Sequence, residues 1–180
     1  MITLDWGPVR EARYWQEIVA AAVYPPIRRI EHVIDATTAC IPRRDGTLEV
    51  LVPTGARSLY GLLGGTYEPH KRGALHIVVN VGAPKGTIFP DSLASGLDEV
   101  HVGLPEEYSK AVLESLVEAQ LEGHLVPSGT FTIVCAAHGL VGSSSDFFGR
   151  LAWGLIRGIE SQSVNPSELS LTVRKAMWDV

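Results

Sequence analysis

The run TFTIVCAA at positions 130–137 is so nearly continuous in apolar residues that, as a strand, it needs a central place in a sheet or cover on both faces. Helix signals flank it. Before it, Pro105 stands at a helix start, Glu106 and Glu107 meet the positive end of the dipole, and Gly123 marks a stop. Tyr108, Val112, Leu116, Val117 and Ala119 form one apolar stripe between them. After it, Ser143 through Asp146 can cap the segment SSSDFFGRLAWGLIRGI. Gly149, Gly154 and Gly158 each weaken that helix by ~1 kcal/mol, so a close-packed neighbour must need the space. ALHIVVNV at 74–81 reads as a further apolar strand, and ELSLTVR at 168–174 alternates as a half-exposed strand does. Strand, helix, strand, helix, strand is the order of a layered α/β or α+β sandwich.

The first half reads differently. Pro8 suits a helix first turn, with Trp15, Ile18, Val19, Ala22 and Val23 behind it, and Tyr24-Pro25-Pro26 ends that helix. IRRIEHVIDATTACI is rich in β-branched residues and predicts one long strand or two short ones. Asp45-Gly46 then gives a hairpin turn into TLEVLV. Residues 53–73, with Gly55, Gly61, Gly64, Gly65 and Gly73, predict a long loop with a helical turn at SLYGLL. Residues 82–95 are again punctuated by Gly and Pro. No repeat, heptad run or low-complexity tract is present.

At 180 residues the chain suits one domain with an appended segment, burying about 70% of its unfolded surface. With 46% hydrophobic and 19% charged residues it is not a disordered chain. No apolar stretch approaches the ~20 residues that span a bilayer, and no export signal opens the sequence. Cys40 and Cys135, each in an apolar run and lacking Cys-x-x-Cys spacing, read as buried reduced thiols of a cytoplasmic protein. The net charge of −5 argues against wrapping nucleic acid by bulk electrostatics. Residues 1–90 carry +2 and residues 91–180 carry −7, and the basic residues cluster as Arg28-Arg29, Arg43-Arg44 and His70-Lys71-Arg72. A local anion or RNA contact needs those groups to converge.

No catalytic constellation emerges. His32, His70, His76, His101, His124 and His138 form no H-x-x-x-H or H-E-x-x-H pair, so no metal site is expected. The serines after Gly142 lack the G-x-S-x-G elbow. GAPKGT lacks phosphate-loop spacing, and no G-x-G-x-x-G is present. Adjacent Glu106 and Glu107 point about 100° apart on a helix and cannot share a reacting centre.

Three collinear pieces carry a resemblance. Arg72-Gly73 with His76-Ile77-Val78-Val79 is similar to an R-G-x-x-G-H-V-V loop and strand. Gly103-Leu104-Pro105-Glu106-Glu107-Tyr108 with Ala111-Val112 is similar to G-x-I-P-x-E-Y-x-x-A-V. Ser144-Ser145-Asp146 followed by Arg150-Leu151-Ala152 is similar to a D-S-S-E loop and its helix. Together, over about residues 72–155, they resemble domain IV of translation elongation factor G.

The resemblance implies a ribosomal protein S5 domain 2-like α+β two-layer sandwich over residues 66–180. Residues 1–65 would then be an N-terminal extension, a helix plus β-hairpin packed on the same core. It implies binding of RNA, the ribosome or a translation component by two tip loops, represented here by His70, Lys71, Arg72, Gly73, His138, Ser143 and Ser144. No cofactor, GTP or membrane is expected, since the family's GTP-binding domain has no counterpart here. The family's tip polar groups are also replaced, a glutamine by Ala74 and a histidine by Leu140. Apolar side chains cannot reproduce hydrogen bonds to an RNA backbone. An alternative is a protein-interaction or oligomer-forming module. Another is a small-molecule enzyme holding an anion at the Gly-rich stretch 61–73 or at the helix start near Ser143.

Overall fold

The computed structural model describes residues 1–7, 10–38, 41–122, 126–161, 163 and 165–178. It is a mixed α/β protein in which three helices lie against an eight-stranded, mostly antiparallel sheet. The strands are β1 (Ile2–Asp5), β2 (Glu11–Trp15), β3 (Arg28–Asp35), β4 (Arg44–Pro53), β5 (Ser58–Pro69), β6 (Ala74–Val81), β7 (Val100–Val102) and β8 (Gly129–Gly139). The helices are α1 (Glu106–Leu121), α2 (Ser145–Ser161) and α3 (Pro166–Trp178). Across the sheet the order is β1-β2-β4-β5-β8-β6-β3, with β7 beside the last residues of β8. Among the described residues the β6/β8 pair alone runs parallel. As its apolar run requires, β8 is central.

Helices α1 and α2 pack side by side on one face, α1 over β6 and β3, α2 over β5 and β4, while α3 packs on α2 and β1. The α2 glycines face neighbours: a Cβ at Gly149 would meet Ser115 Oγ at 2.7 Å, and one at Gly158 would meet the Tyr14 ring at 2.6 Å. The second face is covered over half its width. Residues 17–23 and 89–94 lie over β4, β5 and the later part of β8, anchored where Thr47 Oγ1 donates to Glu17 O and Leu93 N donates to Glu49. A bulge sets the division: opposite Gly64 and Gly65 stand Cys135 and Ile133, so Val134 is extra and side-chain parity reverses. Phe131 and Ile133 therefore face the helices, whereas Cys135 reaches Thr47 beneath the covering segment.

Four expected elements differ. The N-terminal helix expected between Pro8 and Val23 is instead strand β2, in which Ala12 and Tyr14 are buried at period two, followed by the covering segment 17–23 with a single 3-10 turn at Ala20–Ala22; its Pro8 lies outside the described residues. Asp45-Gly46 makes no turn but sits inside β4, and β3 crosses to pair with β6. The expected loop 53–73 is largely β5, whose glycines admit α2, Thr47 and Phe131 close to its backbone. ELSLTVR belongs to α3, where Leu169, Val173 and Met177 form the buried stripe and Leu171 faces out. Residues 1–65 share one core with the rest, and β5 runs through position 65. The expected stop at Gly123, together with Cys40 and His124, lies outside the described residues. No helix among the described residues is long and apolar enough to cross a membrane.

Candidate functional site

The residues expected to form one tip occupy two ends of the sheet. The turn 70–73 arches over the start of β8, since Pro69 and Leu75 both register with Gly129. His138 lies at the far end of the same strand, and ten strand steps separate these ends by about 33 Å. The seven residues therefore do not converge.

At the first end the backbone is fixed and the cations are free. His70 N donates to Ser128 O at 3.2 Å, and Ser128 Oγ donates to His70 O at 2.6 Å. The His70 and His76 rings meet edge to face at 5.7 Å. Gly73 takes the left-handed conformation, φ +68°, that closes the turn without a Cβ penalty. Lys71 and Arg72 are exposed, and no ion pair reaches them among the described residues.

At the second end polar groups are spent on structure. Gly103 O lies 3.0 Å from His138 Nδ1 and Pro84 O lies 3.1 Å from Nε2, so a neutral ring can donate to only one of them. Burial pushes this ring below the ordinary histidine range. His101, beside it at 6.2 Å, is held above that range by the Gly86 carbonyl and then by Glu99. Ser143 Oγ donates to Tyr60 O at 2.7 Å and accepts from Gly139 N. Ser144, not Ser143, caps α2, its Oγ accepting from Phe147 N at 3.2 Å. Asp98 accepts from Gly142 N and Val141 N, closing the same loop. Ser143, which donates to one backbone group and accepts from another, is engaged in closing the loop. The Gly-rich stretch 61–73 offers no anion loop, because most of it is hydrogen-bonded strand. Among the described residues no group of three or more His, Cys, Asp or Glu is arranged to hold a metal.

Of the basic pairs, Arg43-Arg44 lie at the same end of the sheet as the turn 70–73 and Arg28 at the opposite end, and each is engaged. Arg28 pairs with Glu106 at 2.8 Å, and Arg43 with Asp45 and Glu68. Arg44 donates to Ile159 O and Glu160 O at the end of α2.

What remains open among the described residues is the uncovered half of the second sheet face and the edge beyond it. Its residues alternate with the helix-facing core: Thr130 and Thr132 on β8, His76 and Val78 on β6, Arg29, Glu31 and Val33 on β3. Strand β3 pairs with β6 alone, so its outer edge is free among the described residues. The opposite edge, β1, is only four residues long and is tied to α3 where Ser170 Oγ donates to Asp5 O. Sequence reasoning passed over β3 as a surface. Its signal was RRIEHVID, where only Ile30 and Ile34 call for cover, a composition that suits an edge. No family model, curated protein or solved structure matches this chain.

Proposed function

We propose that this chain is a non-catalytic protein-interaction module whose working surface is the uncovered half-face together with β3. The observation that carries the reading is the polar field of half-buried Thr130, Thr132 and His76 and exposed Arg29 and Glu31, over which no helix packs among the described residues, beside a sheet otherwise covered by helices and by residues 17–23 and 89–94. Its charges are mixed, with Arg29 beside Glu31 and Asp35, which suits a protein surface better than a phosphate backbone. The test is a photo-crosslinking side chain placed at Thr132, with Lys110 on the solvent side of α1 as control. Protein crosslinks from Thr132 and none from Lys110 are expected; none from either position in cells sinks the reading.

A second reading is a stand-alone relative of elongation factor G domain IV, with an S5 domain 2-like fold, that binds RNA or the ribosome in the cytoplasm. The order β6, α1, β8, α2 and the exposed Lys71 and Arg72, which no ion pair reaches among the described residues, favour it. Binding of the purified chain to ribosomes or tRNA across a salt series tests it. Replacing both cations by Gln should weaken a salt-sensitive complex, and absence of binding at low ionic strength rejects it.

A further inference from the structure

We infer that the free edge of β3 pairs antiparallel with β3 of a second copy of this chain, about a two-fold axis through His32, joining two sheets into one. This rests on the interaction-module reading and names its partner.

The edge has the geometry for it. Ala36 N donates to Gly73 O, in step with the pairs Ile34↔Leu75 and His32↔Ile77. Backbone polar groups of the even-numbered residues thus face β6, and those of Arg29, Glu31, Val33 and Asp35 point outward. At eight residues β3 is a long edge, and its charges are mixed in sign, so a second strand in the right register can complement them instead of being repelled. Val33 is 53% exposed on it.

The sequence selects one register. A two-fold axis normal to the sheet keeps each face on its own side, so odd residues meet odd and even meet even. Centred on His32, Arg29 lies opposite the partner's Asp35 and Ile30 opposite the partner's Ile34, each pair occurring twice, while Glu31 meets the partner's Val33. The four outward residues of each copy then complete about eight backbone hydrogen bonds. Centring on Glu31 sets two glutamates face to face, and centring on Val33 sets Glu31 against the partner's Asp35. Opposite charges directly across an antiparallel pair stabilise it, and like charges destabilise it. Centring on Ile30 sets Arg29 against the partner's Glu31 but leaves Ile34 and Asp35 outside the pairing, so only the His32 register pairs Arg29 with Asp35 and also covers both half-buried isoleucines.

The test is sedimentation of the full chain over a concentration series. A concentration-dependent dimer is expected for the wild type. Arg29→Asp and Asp35→Arg, at exposed positions, should each weaken it about tenfold or more, and the double swap should restore it. Opposed His32 residues would occupy a non-hydrogen-bonded site with Cα atoms about 4.5 Å apart, within disulfide reach. In a Cys40→Ser background, His32→Cys should therefore oxidise to a covalent dimer, and Glu31→Cys should not. A monomer at every concentration, or a double swap as weak as the single ones, overturns the pairing. Thr132 crosslinks to a different protein would in that case leave the broader reading standing, and their absence would remove both.

Discussion

The Tyr60 hydroxyl donates a 2.9 Å hydrogen bond to Glu49 Oε1, a carboxylate with no exposed surface beneath the segment that covers β4 and β5. Leu93 N donates to the same oxygen at 2.8 Å, and Arg13 stands 3.6 Å from the other. Burial outweighs these partners and raises the Glu49 pKa above the ordinary carboxylate value. The folded state therefore holds this proton more tightly than the unfolded chain. Its stabilising effect is complete below about pH 4.5 and is lost as pH rises through the elevated folded value. Glu49→Gln, which keeps an acceptor for Tyr60 and Leu93, should gain stability relative to the wild type as pH rises from 4.5 to 7. Chemical denaturation at a series of pH values measures it, and a difference independent of pH would refute the assignment.

Gly149 and Ser115 hold α1 against α2. Alanine at 149 gains ~1 kcal/mol of helix propensity, but its Cβ would sit 2.7 Å from Ser115 Oγ. Gly149→Ala alone should therefore destabilise by ~1–3 kcal/mol, as overpacking does. Ser115→Ala removes that oxygen and leaves the Ser115 Cβ 3.9 Å away. The double variant should return to wild-type stability or exceed it, a coupling that thermal melts of the four proteins would reveal.

The stretch from Pro105 to α2 was legible because each of its signals is local. Pro105 with Glu106 and Glu107 places α1, Ser144 caps α2, and the run around Phe131 marks the central strand. The first half depends on partners distant in sequence. The periods of β2 and β5 make sense only beside β4 and β8, and the glycines of β5 serve Phe131, Thr47 and α2 instead of a turn. In α3 the alternation of Leu169, Leu171 and Val173 looked like a strand until Met177 extended the helical stripe. The candidate surface stayed hidden because an edge is defined by what fails to pair with it. Crossing of β3 to β6 is a matter of topology, not of residue type.

Cys135 carries a thiol pushed up to about 12 by burial, with Thr47 Oγ1 3.7 Å from its sulfur. A thiolate is the reactive form, so the native protein should leave Cys135 unmodified at pH 8. In a Cys40→Ser background, labelling by a thiol reagent should begin only as the chain unfolds in denaturant. Rapid native labelling would show that the segment over β8 opens freely.

Arg44 completes α2 from outside the helix. The last turn of α2 has no basic residue of its own, and Arg44 Nη1 on β4 donates to Ile159 O at 3.1 Å and Glu160 O at 2.9 Å. Carbonyls at a helix C-terminus lack intrahelical donors and carry the negative end of the dipole, so a fixed guanidinium both satisfies and neutralises them. Arg44→Met keeps most of the apolar stem and removes the donors, and should cost ~1–3 kcal/mol. Arg44→Lys keeps a cation near both carbonyls but loses the fixed planar geometry by which Nη1 donates to each, and should fall between the two. Urea denaturation orders the three proteins, and equal midpoints for Arg44→Met and the wild type would show that the end of α2 is stabilised by apolar packing instead.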